Sequence, residues 1–290
     1  MTPFSALPCE IALLAAEHAA WSQVHNDWLW VASVRLVCRR FNGIIRRICF
    51  ETFIVQQDTA YHLPELAGLP DTPLSLTRRL VIPDGQLYTR ATEQSLFSQV
   101  NNIRDFTGGT SHLTSLSRIH PDLHLDSVYI IHLESWSARP WMRWLFTTPR
   151  LHIICGVIDD APMFEGQDIL HISGTRWLIV DAFSTSSLEL VAHIQPFLSR
   201  LTVLLSIPSL ERLLLRPRIY HDESRIPLCE AVVHCASEMQ DERIWLDASV
   251  VHLTNGEDKE DDRQLDIADA LAGHALWEAG APLYIKGSDS

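Results

Sequence analysis

The chain has 290 residues, with 23 Lys+Arg against 36 Asp+Glu, a formal net charge of −13 and 47% apolar residues. That length fits one large domain or two modest ones with a sizeable core. A charge this negative is repelled by phosphate backbones, which argues against general nucleic-acid or anionic-membrane binding except where positive charge is locally concentrated. Six cysteines (Cys9, Cys38, Cys49, Cys155, Cys229, Cys235) are scattered through a chain too large to need cross-links. The opening MTPFSALPCEIALLAAEHAAW has no basic n-region, and Glu10, Glu17 and His18 interrupt its apolar residues, so it does not read as a signal peptide. No run approaches the roughly 18 uninterrupted apolar residues of a membrane span. The expectation is a chain with reduced thiols in the cytoplasm or the nucleus, or both.

Residues 1–55 read as a helical module. Pro8 marks a helix start, after which Ile11, Leu14, Ala15 and His18 share a face. Asn26 and Asp27 are good N-caps for a second helix near Trp28. The stretch SVRLVCRRFNGIIRRICFETFIV (33–55) holds the one dense concentration of positive charge: Arg35, Arg39, Arg40, Arg46 and Arg47. Wound as a helix, residues 34–48 put their valines, isoleucines and Phe41 in one half of the wheel and all five arginines in the other, with a break expected at Asn42–Gly43. Leu36 falls on the arginine side, where an isolated domain would prefer a polar residue.

LPCEIALLAAEHA followed by VASVRLVCRRFNGIIRRICFETFIV resembles the F-box. The shared elements are Leu-Pro-x-Glu-Ile opening one helix, a later helix ending in Leu-Val-Cys-Arg, an aromatic two residues further on, and a closing apolar segment, here Ile48, Phe50 and Phe53. Phe41 stands where tryptophan is frequent, and Trp21, Trp28 and Trp30 make the first inter-helix segment unusual. The resemblance implies a three-helix module that docks a Skp-type adaptor, and through it a cullin–RING ubiquitin ligase. It gives Leu7, Pro8, Ile11, Leu36, Val37, Cys38 and Phe41 places in or directly beneath that interface. The other reading of these residues is an ordinary helical cap for the following domain.

Pro64, Pro70 and Pro73 mark residues 56–76 as a linker or irregular connection. Beyond it, RRLVIP (78–83), VYIIHL (128–133), RLHIICG (150–156), WLIVDAF (177–183), ERLLLRP (211–217) and RIWLDAS (243–249) read as short strands. Segments with helical spacing lie between many of them, such as LELVAHIQPFLSRLTVLL. Strands alternating with helices predict parallel strands joined by helical crossovers over residues 77–256, with RLHIICG, WLIVDAF and ERLLLRP adjacent in one sheet in chain order. LLSIPSLERLLLRP (204–217), with Leu204, Leu205, Ile207, Leu210, Leu213 and Leu215, resembles the L-x-x-L-x-L cadence of leucine-rich repeats. The expected fold is therefore α/β, a three-helix F-box followed by a leucine-rich-repeat-like array of parallel strands and helices, against another α/β layer fold as the alternative. Residues 257–264 read as an acidic loop, and 265–290 as a helix capping the open end of the array plus a tail.

Cys229, His234 and Cys235 in CEAVVHC, with His221 upstream, lack metal-ligand spacing, and Cys229, Val232, Val233 and Ala236 make a better apolar helix face. Cys155 in a strand reads as a small buried hydrophobe. The sequence carries no G-x-S-x-G, no phosphate loop and no H-E-x-x-H, so no enzyme, cofactor or metal is expected. In WSARPWMRWLF (136–146), Trp141, Trp144 and Leu145 have the spacing of a buried helix face, leaving Trp136 and Arg139 as candidates for contact with a protein substrate. The overall style is similar to the F-box families of mushroom-forming fungi. The function this implies is substrate recognition in a Skp–cullin–F-box ligase, against a non-ligase interaction scaffold, with neither nucleic acid nor membrane as partner.

Overall fold

The structure is a computed structural model. It describes residues 8–55, 60–83, 89–132, 147–157, 174–184, 190–219, 222–249 and 259–285. Leu7, Trp136 and Arg139, with the rest of WSARPWMRWLF, lie outside the described residues.

Three helices open the chain: α1 (Cys9–Gln23), α2 (Trp28–Val34) and α3 (Arg39–Glu51). Pro8 stands at the N-cap of α1, and Asp27 caps α2 by accepting a hydrogen bond from the Trp30 N–H at 3.0 Å. The expected break at Asn42–Gly43 is instead at residues 35–38, where Cys38 is fully extended ahead of α3. Gly43 stays inside α3 because the cost of a helical glycine, about 1 kcal/mol, is small beside the burial of Ile45 and Ile48 on the same helix. Asn42 belongs to that helix too, and its side-chain oxygen accepts from Arg35 Nε at 3.1 Å, bracing the turn. The module's own core is small: Ala20, Val24, Val31, Ile45 and Ile48.

From α3 the chain passes directly into a sheet. Its strands are β1 (Thr52–Ile54), β2 (Arg79–Val81), β3 (Asp105–Gly109), β4 (Ser127–His132), β5 (Arg150–Gly156), β6 (Trp177–Ser184), β7 (Arg212–Ile219), β8 (Ile244–Leu246) and β9 (Ala281–Pro282). They lie in chain order across one sheet. β1 to β8 run parallel, and β9 alone is antiparallel, on β8. RLHIICG, WLIVDAF and ERLLLRP are β5, β6 and β7, adjacent and parallel as expected. Successive layers are stitched where the strands start: the carbonyls of Arg78, Arg104, Pro149 and Arg176 each accept two successive N–H groups from the next layer.

The helices α4 (Leu63–Ala67), α5 (Arg90–Gln99), α6 (Thr110–Ile119), α7 (Leu190–Leu205) and α8 (Asp222–Met239) contribute to the main core against one face of the sheet. Side chains alternate across a strand, so Leu178, Val180, Ala182, Leu213 and Leu215 enter this core. All six residues of the leucine cadence (Leu204, Leu205, Ile207, Leu210, Leu213, Leu215) are buried there, as is Cys155. The span read as a linker holds, in its described part, α4 and a 3-10 turn (Pro73–Leu76), with Leu63 and Leu74 buried in the same core.

The C-terminal helix departs from expectation. It starts at Lys259, inside the stretch read as an acidic loop, as α9 (Lys259–Ala272), followed by α10 (His274–Trp277). Rather than capping the open end, α9 lies on the sheet face opposite α5–α8. Asp266 meets Tyr129 of β4, and Asp269 meets Arg216 of β7. The end of the array is covered by β9 on β8, with the Leu283 N–H donating to the Ile244 carbonyl at 3.0 Å.

Candidate functional site

Two surfaces carry chemistry, and the first is the front of the helical module. Pro8, Ile11, Leu36, Val37 and Cys38 are exposed, and Phe41 is half-buried. Leu36 is 87% exposed and Val37 67%, both in the turn between α2 and α3. Arg40 Nη1 lies 3.6 Å from Cys9 Sγ, so the start of α1, with Pro8 beside Cys9, adjoins the start of α3 just after Leu36 to Cys38. The α1 face formed by Ile11, Leu14, Ala15 and His18 is open to solvent rather than turned to the core. Leu14, Trp28, Leu29 and Trp30 extend the exposed apolar surface and were not singled out as site residues. The excess of tryptophan between residues 21 and 30 was the available signal.

The arginines of this module divide by task. Arg39 and Arg40 are exposed beside the apolar turn. Arg46 donates to the Asp71 carbonyl and so ties α3 to the array, while Arg47 faces Glu51 at 3.9 Å. Partial burial, aided by the charge of Arg79 on β2, lowers the pKa of His25.

The second surface is the face of the sheet under α9, where the chain buries a network of charge. Tyr129 of β4 stacks on His152 of β5, ring centroids 3.7 Å apart and 5° from parallel. His152 Nε2 lies 2.9 Å from Asp181 Oδ2 on β6. Two arginines of β7 surround Asp181: Arg216 Nη1 at 3.6 Å from Oδ1, and Arg218 Nε against Oδ2. From α9, Asp269 accepts a two-pronged contact from Arg216 at 3.0 and 3.2 Å and another from Arg218. Asp266 accepts from Arg218 at 2.8 Å and from the Tyr129 hydroxyl at 2.7 Å. Asp247 flanks Arg216 at 3.9 Å.

Burial alone would raise the Asp181 carboxyl, but His152, Arg218 and Arg216 together hold it well below the usual carboxylate range. Asp266 goes the other way: burial raises it more than Arg218 and Tyr129 lower it. Burial also pushes the Tyr129 hydroxyl well up, although Arg218 opposes this. His152, Asp181 and Asp269 bring ligand atoms within 4.8 Å of one another. The two guanidinium groups already neutralise those carboxylates, so the site fits an arginine–carboxylate lattice better than a divalent cation.

The cysteine cluster does not converge. His234 is exposed and pairs with Glu238 at 3.3 Å, Cys235 Sγ lies against Met239 at 3.7 Å, and His221 is outside the described residues. The apolar face of α8 runs through Leu228, Val232 and Ala236. Cys229 sits at its margin, and Val233, expected on that face, is exposed because the helix turns it away from the sheet. Among the described residues no helix is long and apolar enough to cross a membrane. No protein-family model, curated protein or solved structure matches the chain.

Proposed function

We propose that the chain is an F-box-type substrate-recognition subunit of a Skp–cullin–F-box ubiquitin ligase, with a degenerate leucine-rich-repeat-like array behind its docking module. The observation that carries this reading is the exposed apolar turn at Leu36 and Val37, beside the solvated front of α1. Apolar residues this exposed mark an interaction surface, and Pro8, Ile11, Leu36, Val37 and Cys38 are exposed at positions the F-box resemblance assigns to adaptor contact, with Phe41 half-buried beneath them and Leu7 preceding them in sequence. The array supports the reading by its consecutive parallel strands and leucine-lined main core.

In this role the chain needs no catalytic residue. The adaptor holds the module, the array holds a protein substrate, and a substrate lysine is kept near the ubiquitin-charged conjugating enzyme, so the rate gain comes from proximity. Affinity purification of the full chain should recover a Skp-type adaptor and a cullin, and Leu36→Ala should lose both together. Recovery of adaptor without cullin would make the chain a non-ligase scaffold instead. Recovery of neither would end the F-box reading.

A further inference from the structure

The residues that hold α9 on the sheet are the wrong kind for a purely structural helix. Where its side chains are described, the buried ones are Asp266 and Asp269, while Ile267 and Leu271 are only half-buried. An amphipathic helix that belongs to a core normally buries its apolar stripe. This one presents two carboxylates, three residues apart on one face, to two arginines and a tyrosine. The apolar anchorage comes after it: Trp277, with Leu276 and Ala279, packs on Ile179 and Leu214, and β9 pairs with β8. Between the two kinds of attachment stands Gly273, whose φ of +57° places the junction in a conformation that favours glycine. The contacts of α10 and β9 with the sheet are thus separate from those of α9.

We infer that the sheet face around Arg216 and Arg218 is a binding site for an acidic helical segment of a partner protein, presenting two carboxylates three residues apart, and that α9 is its built-in occupant. Asp269 shows how one carboxylate is read, by the Arg216 fork, and Asp266 shows the other, by Arg218 and the Tyr129 hydroxyl. With α9 lifted, Asp181 remains beneath the arginines with His152, and Asp247 at their side, so the guanidinium groups stay positioned between strands. Such a pre-set arginine pair favours planar, bidentate carboxylate recognition. Buried ion pairs contribute little net stability compared with apolar contacts, so α9 is held mainly by being tethered, and a rival segment making the same bonds gains the site where α9's own contacts are weakened. The inference rests on the preceding reading only in making the partner a substrate.

The test uses the full chain, a labelled synthetic peptide with the sequence of residues 257–273, and no adaptor, so its failure leaves the docking proposal intact. Asp266→Asn with Asp269→Asn should loosen α9 and raise affinity for the peptide at least tenfold over wild type. The same peptide with both aspartates changed to asparagine should not bind. In wild type, hydrogen exchange should find the amides of residues 266–272 at least tenfold less protected than those of β5 to β7. The inference is overturned if the two peptides bind the variant equally, if the variant binds neither, or if those amides are as protected as the strands. Should the variant fail to fold, the wild-type exchange result decides.

Discussion

Asp181 is fully buried, and its environment decides how much the charged face matters to stability. Removing its charge takes away the carboxylate that faces both arginines from beneath and leaves them to Asp266, Asp269 and Asp247, so the loss is at most the roughly 3–5 kcal/mol of a fully broken buried pair. Asp181→Asn should therefore unfold at markedly lower urea than wild type near neutral pH. The sign of its pH dependence follows from the depressed carboxyl. A folded-state pKa below the unfolded value of about 3.9 contributes stability that is complete above the unfolded value and lost as pH falls through the folded one. The gap between wild type and Asp181→Asn should stay level down to about pH 5 and narrow below about pH 4; a gap that widens in acid would contradict the account. Little of this was legible beforehand. Alternation along WLIVDAF and LLLRPRI puts Asp181 on one face with Ile179, and Arg216 and Arg218 with Leu214. The strands were read, but the charges on them were not followed across the sheet. Asp266 and Asp269 come from a helix 48 to 53 residues further along the chain from those arginines, which no local pattern reveals. Leu36 stands between: the wheel put it on the arginine side and so away from the core, yet its exposure comes from the turn between α2 and α3 rather than from a helix face.

At the scale of elements, the strongly apolar strands were legible and the weakly patterned ones were not. β3 is DFTGG, whose two glycines lower strand propensity; it fits because the buried Phe106 ring fills the space beside Gly108, where a Cβ would meet it at 2.9 Å. Missing it left a gap of about 50 residues between expected strands, which β3 fills. β1 was assigned to the helical module, since TFIV continues that module's apolar run. Two glycines distinguish required from tolerated backbone. Gly280 has φ +80°, and a Cβ there would meet the Leu246 carbonyl oxygen and Leu214 Cδ1, each at 2.8 Å. Gly280→Ala should cost about 1–3 kcal/mol and expose the α10–β9 anchor to exchange. Gly43 has nothing within 4 Å of its missing Cβ, in the middle of α3. Gly43→Ala should stabilise the chain by about 0.5–1 kcal/mol, read as a shift in urea midpoint. Equal effects at the two sites would mean that neither environment is as described.

Across the whole molecule, strand order was the most legible feature. Parallel strands with helices between them have few arrangements that keep crossovers short and of one hand, so β5, β6 and β7 could be ordered from sequence. The direction in which the C-terminus folds back was not, because an acidic segment such as NGEDKEDDRQ reads as solvated until arginines on a distant face are known. The two proposals divide in the same way: the proposed docking surface rests on exposed apolar residues, whereas the proposed partner site on the array rests on what covers it. The most direct measurement of the central claim is calorimetric titration of the full chain with a Skp-type adaptor. Burying a Leu side chain contributes roughly 1.5–3 kcal/mol, and a central contact of about 2 kcal/mol is close to thirtyfold in affinity. Leu36→Ala should thus weaken binding at least tenfold with helicity unchanged by circular dichroism. Arg46→Ala with Arg47→Ala should shift it by less than about threefold, because Arg46 is engaged with the Asp71 carbonyl and Arg47 with Glu51 rather than with the apolar turn, and an exposed charge such as that of Arg47 is screened. Binding that depends on the arginine pair, collapses with salt and ignores Leu36→Ala would contradict the account.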